Sequence, residues 1–175
     1  MRILGVDCGT EITGYGVVEV ARDGSLVHVQ SGPIRLSARD PMAQRLSQVF
    51  EKLRSVIEQQ QPDEVAIEDV FYAVNVKSAL KLGQVRGVAM LAASLSGLPV
   101  AEYAPLAIKS AVVGYGKADK AQVQHMVARL LRLGTPPEPA DVADALAIAI
   151  CHLHTSATLD KQRRPSTVSA ASASK

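Results

Sequence analysis

Three strand-like runs fall within the first 36 residues, separated only by short turn signals. Residues 2–8 are mostly apolar and read as a buried strand. Gly9-Thr10 then turns the chain, and residues 13–20 read as a second strand. Asp23-Gly24 turns it again before a third, residues 26–36. Connections this short leave no room for a parallel crossover, so the three runs must form an antiparallel meander. Residues 41–60 then change to helical spacing, with Leu46, Val49, Phe50, Leu53 and Ile57 on one face. Pro62-Asp63 stops that helix, and residues 64–68 form a short strand. A long helix is expected over 77–95, a fifth strand over 99–103, and helices over 106–113, 120–133 and 140 to about 154. This order predicts an α/β fold: a mixed five-stranded sheet, its first three strands antiparallel, with helices on both faces.

The chain has 175 residues, 47% hydrophobic and 21% charged, enough for one domain with a core. The best membrane candidate, residues 88–101, is short and broken by Ser94, Ser96, Gly97 and Pro99, so no membrane association is expected. A strand pattern begins at residue 2, so no signal peptide is expected. Cys8 and Cys151 form neither a disulfide framework nor a zinc pattern. A cytoplasmic location follows. Residues 156–175 are rich in Ser, Ala and Thr and are expected to be a disordered tail behind a domain spanning 1–155. Charge is unevenly spread: residues 1–69 carry a net −4, 70–137 +6, 138–154 −3 and 155–175 +3. A basic middle between acidic segments suits a chain that grips a polyanion and holds cations, and equally suits solvated helix faces of uneven sign.

Four carboxylates carry the chemical signal. Asp7 and Glu68 each end an apolar strand, and Asp141 and Asp144 open an apolar helical segment. A charge beside a core is costly unless something compensates it. If all four meet at one end of the sheet, they repel one another unless cations intervene. Four negative charges balance two Mg²⁺, and oxygen-only ligands favour Mg²⁺ or Mn²⁺ over zinc. Each acid also has a local explanation. Asp7 can start a turn, Glu68 can pair with a lysine, and Asp141 and Asp144 can cap their helix while Val142, Leu146, Ala149, Ile150 and Leu153 pack inward. The turn Asp7-Cys8-Gly9-Thr10 can present N–H groups to phosphate, as sugar kinases and Hsp70-type ATPases do. Phe71 and Tyr72 are two of only six aromatic residues; exposed they stack on bases, buried they are core. Lys77 and Lys81 lie one turn apart, and Lys109, Lys117 and Lys120 flank Gly114-Tyr115-Gly116 as a basic loop. His152 and His154 read as satisfied or solvent-facing, and Cys8 as a small apolar group.

Five ordered motifs resemble one family. They are Gly5-Val6-Asp7-Cys8-Gly9 with Gly14-Tyr15-Gly16-Val17; Ala66-Ile67-Glu68; residues 78–84; Lys120-x-Gln122-Val123; and Ala140-Asp141-x-x-Asp144-Ala145-Leu146. Over about residues 1–154 the chain resembles the RuvC Holliday junction resolvases. The resemblance implies an RNase H-like fold and a homodimer whose interface draws on the helix over 77–94. It implies that Asp7, Glu68, Asp141 and Asp144 hold two Mg²⁺ per subunit, with Mn²⁺ able to substitute. It implies that Phe71 probes junction bases and that Lys109 and Lys120 meet the scissile phosphate. Tyr72, Lys77, Lys81, Arg86 and Lys117 complete the expected DNA surface. The chain departs from the family at Cys8, where proline is usual, and at Val74, Val76 and Val85.

The expected reaction is paired, symmetric nicking of a four-way DNA junction in recombination and repair. It proceeds by two-metal-ion hydrolysis that leaves 5′-phosphate and 3′-hydroxyl ends, alongside a branch-migration helicase complex. Three alternatives remain: a single-domain Asp-x-Gly-Thr ATPase, a junction-binding protein without activity, and a related nuclease acting on RNA ends. Length, the full set of four acids, and the segment over 71–94 weigh against them in turn.

Overall fold

The computed structural model describes residues 1–69 and 75–163. Five strands, β1 (Arg2–Asp7), β2 (Ile12–Val20), β3 (Leu26–Arg35), β4 (Glu64–Glu68) and β5 (Val100–Tyr103), form one sheet ordered β3-β2-β1-β4-β5. The β1–β2 and β2–β3 pairs are antiparallel, whereas β4 runs parallel to β1 and β5 parallel to β4. The meander and the mixed sheet are both present as expected.

Strand alternation divides the core in two. Leu4, Val6, Val17, Val65 and Ile67 face α1 (Met42–Gln60) and α2 (Val76–Leu95). Ile3, Val18 and Ala66 face α5 (Ala140–Arg163), with α3 (Pro105–Val113) and α4 (Lys120–Leu130) sharing that core. On α1 the buried stripe is Val49, Leu53, Val56 and Ile57, while Leu46 and Phe50 are only partly covered. The inward face is thus rotated toward Val56 from the one expected.

The middle of α5 is buried on all sides, from Ala145 through Leu153. A single apolar stripe was expected, but this helix lies between the sheet and α3 and α4, so it has no solvent face to spare. Glycines set how close it comes. A Cβ on Gly5 would fall on the carbonyl oxygen of Ala145 and within 2.8 Å of the Ala149 nitrogen. A Cβ on Gly14 would fall on the carbonyl of Asp141 and within 3.0 Å of the Val142 nitrogen. The acidic start of α5 therefore rests directly on the strand ends.

The helix also runs beyond the expected end of the domain, to Arg163 rather than 155. Thr155 and Thr158 donate their hydroxyls to the carbonyls of Cys151 and His154, each at 2.8 Å, so part of the polar composition read as tail folds back onto the helix itself. Residues 164–175, the remainder of that segment, lie outside the described residues. No described helix is long and apolar enough to cross a membrane.

Candidate active site

Asp7 ends β1 and, by alternation, shares a face with Ile3 and Gly5, the face covered by α5. Val6 pairs with Ile67, so Glu68 follows one step later beside Asp7 on the same face as Ala66. Asp7 also pairs with Gly14, the glycine that admits the backbone of Asp141. Two parallel strand ends and one helix start thus bring the four expected acids to one end of the sheet. The loop after Asp7 is fixed by buried Thr13, whose hydroxyl donates to the Gly9 carbonyl at 3.0 Å and accepts from the Gly9 N–H at 3.3 Å. That N–H is therefore already engaged, which weakens the phosphate-cradle possibility for this turn.

Between the acids lies a cleft of about 300 Å³. Asp7, Glu68 and Asp144 line it together with Lys109 and Lys120, and Pro105, Ile108, Val123, Ala147 and Ile148 form its apolar wall. Asp141 stands outside the lining, although its charge acts on Asp7. Burial is the main reason the Asp7 carboxyl rises from 3.8 to about 8; Asp144, Glu68 and Asp141 push it further and Lys120 opposes them. Glu68 is raised too, first by burial and then by Asp144, while Lys120 and Lys109 draw it back. The Lys120 ammonium lies 2.6 Å from Asp144, and this hydrogen bond raises the lysine. Among the described residues, no three acidic, imidazole or thiol groups stand close enough to hold one ion in this arrangement. The donor chemistry nonetheless fits a hard divalent cation: oxygen ligands only, mutual repulsion, and a lysine supplying the positive charge. Asp141 lies in the first turn of α5, where its charge also suits the helix dipole.

The other expected residues divide. Lys77 and Lys81 are exposed on the first turns of α2, where Asn75 caps the helix by accepting from the Lys77 and Ser78 N–H groups. Lys117 is exposed in the loop between α3 and α4. Phe71 and Tyr72 lie outside the described residues, as does Val74. Arg86, expected at the DNA surface, has a side chain only 18% exposed and engaged by Asp69, Glu102 and the Glu68 carbonyl. An arginine beside two acids on neighbouring strand ends is drawn inward rather than toward phosphate. Cys8 packs partly buried on the α1–α2 side, where burial pushes its thiol up to about 12. Val85 is fully buried there and Val76 is exposed.

His152 is buried and bonds Tyr103 at 2.9 Å and Glu64 at 3.2 Å; His154 Nδ1 meets the Ala111 carbonyl at 2.9 Å. Both are satisfied histidines, as expected. Sequence reasoning missed the cleft's apolar wall and the Arg86 cluster. Wall residues such as Ile108, Val123 and Ala147 look like ordinary core in a sequence. A larger open groove of about 1200 Å³ is lined by His28, Ser31, Gln124 and residues 133–140, none of the four acids among them, and its His28 ring is bonded to Ser31 at 2.9 Å.

Residues 3–152 match the model of the family described as crossover junction endodeoxyribonuclease RuvC. The chain belongs to the RuvC family. It is 66% identical over 161 residues to crossover junction endodeoxyribonuclease RuvC of Koribacter versatilis, covering 92% of this chain and 97% of that protein. Its fold resembles the Thermus thermophilus RuvC structure with a TM-score of 0.84 at 32% identity, over 90% of this chain and 96% of that one. It resembles T. thermophilus RuvC in complex with Holliday junction substrate with a TM-score of 0.83 at 29% identity, over the same shares of the two chains. The expected RuvC-type, RNase H-like fold is thereby shown. It also makes the single-domain ATPase alternative unnecessary.

Proposed function

We propose that this chain resolves four-way DNA junctions by opposed nicks, with Asp7, Glu68, Asp141 and Asp144 holding divalent cations. One observation carries the proposal: in a RuvC family chain, acids from β1, β4 and α5 meet two lysines in a single open cleft. Mg²⁺, or Mn²⁺ in its place, would supply a water of lowered pKa and charge stabilisation for the departing 3′ oxygen. The acids then bind and orient, sharing the negative charge that now raises Asp7. Lys120, displaced from Asp144, is free to meet a phosphate oxygen, and Lys109 meets it from the same wall. The apolar wall excludes water from the rest of the cleft. Lys77, Lys81 and Lys117 contact flanking phosphates, with Phe71 and Tyr72 working on the bases. The products carry 5′-phosphate and 3′-hydroxyl ends.

A homodimer follows from the same proposal. Leu80, Leu91 and Leu95 are exposed on α2, and Gly83 and Gly87 have open space around them, which leaves an apolar, closely approachable face. Two-fold pairing there would present two clefts to two opposed strands. Cooperation with a branch-migration helicase complex in the cytoplasm completes the proposal.

The test is a synthetic four-way junction and a matching linear duplex, each incubated with Mg²⁺ or Mn²⁺, with nicks mapped at nucleotide resolution. Paired symmetric nicks on the junction alone are expected. Asp7→Asn should bind the junction and leave it whole. Wild-type nicking by that variant would remove the metal assignment.

A further inference from the structure

We infer that Arg86 is a positioning residue that holds Glu68 in place from the opposite face of the sheet. The inference rests on the proposed nuclease site and adds to it a residue that does not touch the cleft. Glu68 is the last residue of β4, and its side chain lines the cleft on the α5 side. Its backbone is held from the α2 side. Arg86 Nε donates to the Glu68 carbonyl at 3.3 Å, and its Nη2 donates to Asp69 Oδ1 at 3.4 Å. The same Nη2 pairs with Glu102 of β5.

The topology explains why this clamp is needed. β4 and β5 pair from Val65–Val100 to Glu68–Tyr103, and one further bond follows, from the Asp69 N–H to the Tyr103 carbonyl at 2.8 Å. The ladder ends there, immediately beside the proposed ligand. A strand end frays more readily than its middle. Asp69, just past the end of β4, and Glu102 of β5 would repel each other at this end of the sheet. A guanidinium suits the gap, because its planar fork can serve a carbonyl and two carboxylates together. A lysine has a single nitrogen and cannot span the same three acceptors in a fixed plane. Fixing the Glu68 carbonyl fixes the peptide that follows it, and with it the direction in which its carboxylate leaves the strand. Arg86 also ties α2, the helix bearing Lys77 and Lys81, to that strand end, so DNA held along α2 and the acid in the cleft share one rigid support.

Arg86→Met and Arg86→Lys test this with two readouts. The first is hydrogen exchange in the metal-free protein. Arg86→Met should lose protection at least tenfold in the peptide spanning residues 65–69, while β1 and β2 keep theirs; Arg86→Lys should fall between. Unchanged exchange in that peptide would overturn the inference. The second readout separates junction binding in Ca²⁺ from the single-turnover nicking rate in Mn²⁺. A positioning role predicts binding within twofold of wild type, a rate at least tenfold lower, and a Mn²⁺ midpoint several-fold higher. Weakened binding with an unchanged Mn²⁺ midpoint would instead make Arg86 a DNA contact and overturn the inference. A wild-type protein that left junctions whole would refute the nuclease proposal, and the exchange readout would still decide the role of Arg86.

Discussion

Replacing Asp7 with asparagine should make the metal-free protein more stable while destroying its activity. The Asp7 carboxyl is raised from 3.8 to about 8 by burial and by Asp144, Glu68 and Asp141. Between those values the folded chain keeps a proton that the unfolded chain has released, so the contribution of Asp7 is fully present below about pH 4 and is lost as pH rises through about 8. At roughly 1.4 kcal/mol per pH unit, the full difference at pH 8 is on the order of 5 kcal/mol. Solvent in the open cleft and the neighbouring Lys120 reduce this, and about 2 kcal/mol is the expected gain for Asp7→Asn at pH 8.5. Asparagine keeps the shape and has no proton to lose. The assay is urea unfolding in EDTA at pH 5.5 and 8.5, with protein concentration held constant because the proposed dimer would link stability to concentration. With a slope of about 2 kcal/mol/M, the midpoint should rise by about 1 M at pH 8.5 and by roughly 0.4 M at pH 5.5. Adding Mg²⁺ should raise the wild-type midpoint and leave the variant's in place. An Asp7→Asn protein less stable than wild type at pH 8.5, or one that retains the full wild-type pH slope, would show that burial of the Asp7 carboxyl does not cost stability. Glu68, also raised, should preserve part of that slope.

Other expectations concern separate parts of the fold. Gly5→Ala puts a methyl group into the α5 backbone and should destabilise the protein by about 3 kcal/mol, read as a lower urea midpoint with an unchanged slope; a neutral result would mean that α5 can lift from the sheet freely. Lys120→Met should slow nicking roughly 100-fold while leaving far-UV circular dichroism intact, and wild-type rates would place Lys120 outside the reaction. Burial holds the His152 imidazole below its ordinary range, although Glu64 opposes the shift. Its contribution is therefore present above about pH 6.5 and lost as pH falls below it, so His152→Gln should flatten the loss of stability below about pH 6.5. Thermal melts across that range should show this, and identical slopes would assign the loss to other groups such as His28, which is also held low by burial.

The sequence by itself determined the order of the elements and the identity of the acids. Period-two and helical spacing act over a few residues, so the meander, the helices and the polar ends of β1 and β4 could be read directly. Asp7 and Glu68 were conspicuous because a carboxylate terminating an apolar strand has little local purpose. Asp141 and Asp144 were ambiguous, since three-residue spacing at a helix start serves a cap as well as a ligand. Contacts distant in sequence bring them to the same end of the sheet as Asp7 and Glu68. The parallel pairing of β1 with β4 set Glu68 beside Asp7, and two glycines without Cβ atoms let α5 settle on the sheet, Gly14 against its first turn and Gly5 against Ala145 and Ala149. Arg86 shows the same limit from the other direction. Its charge and its place on a basic helix suggested DNA, yet Asp69 and Glu102 meet it only because β4 and β5 end side by side. Local spacing fixes which face a residue takes; whether a charge on that face finds water, phosphate or another side chain depends on which strand ends become neighbours, and only the packed sheet determines that.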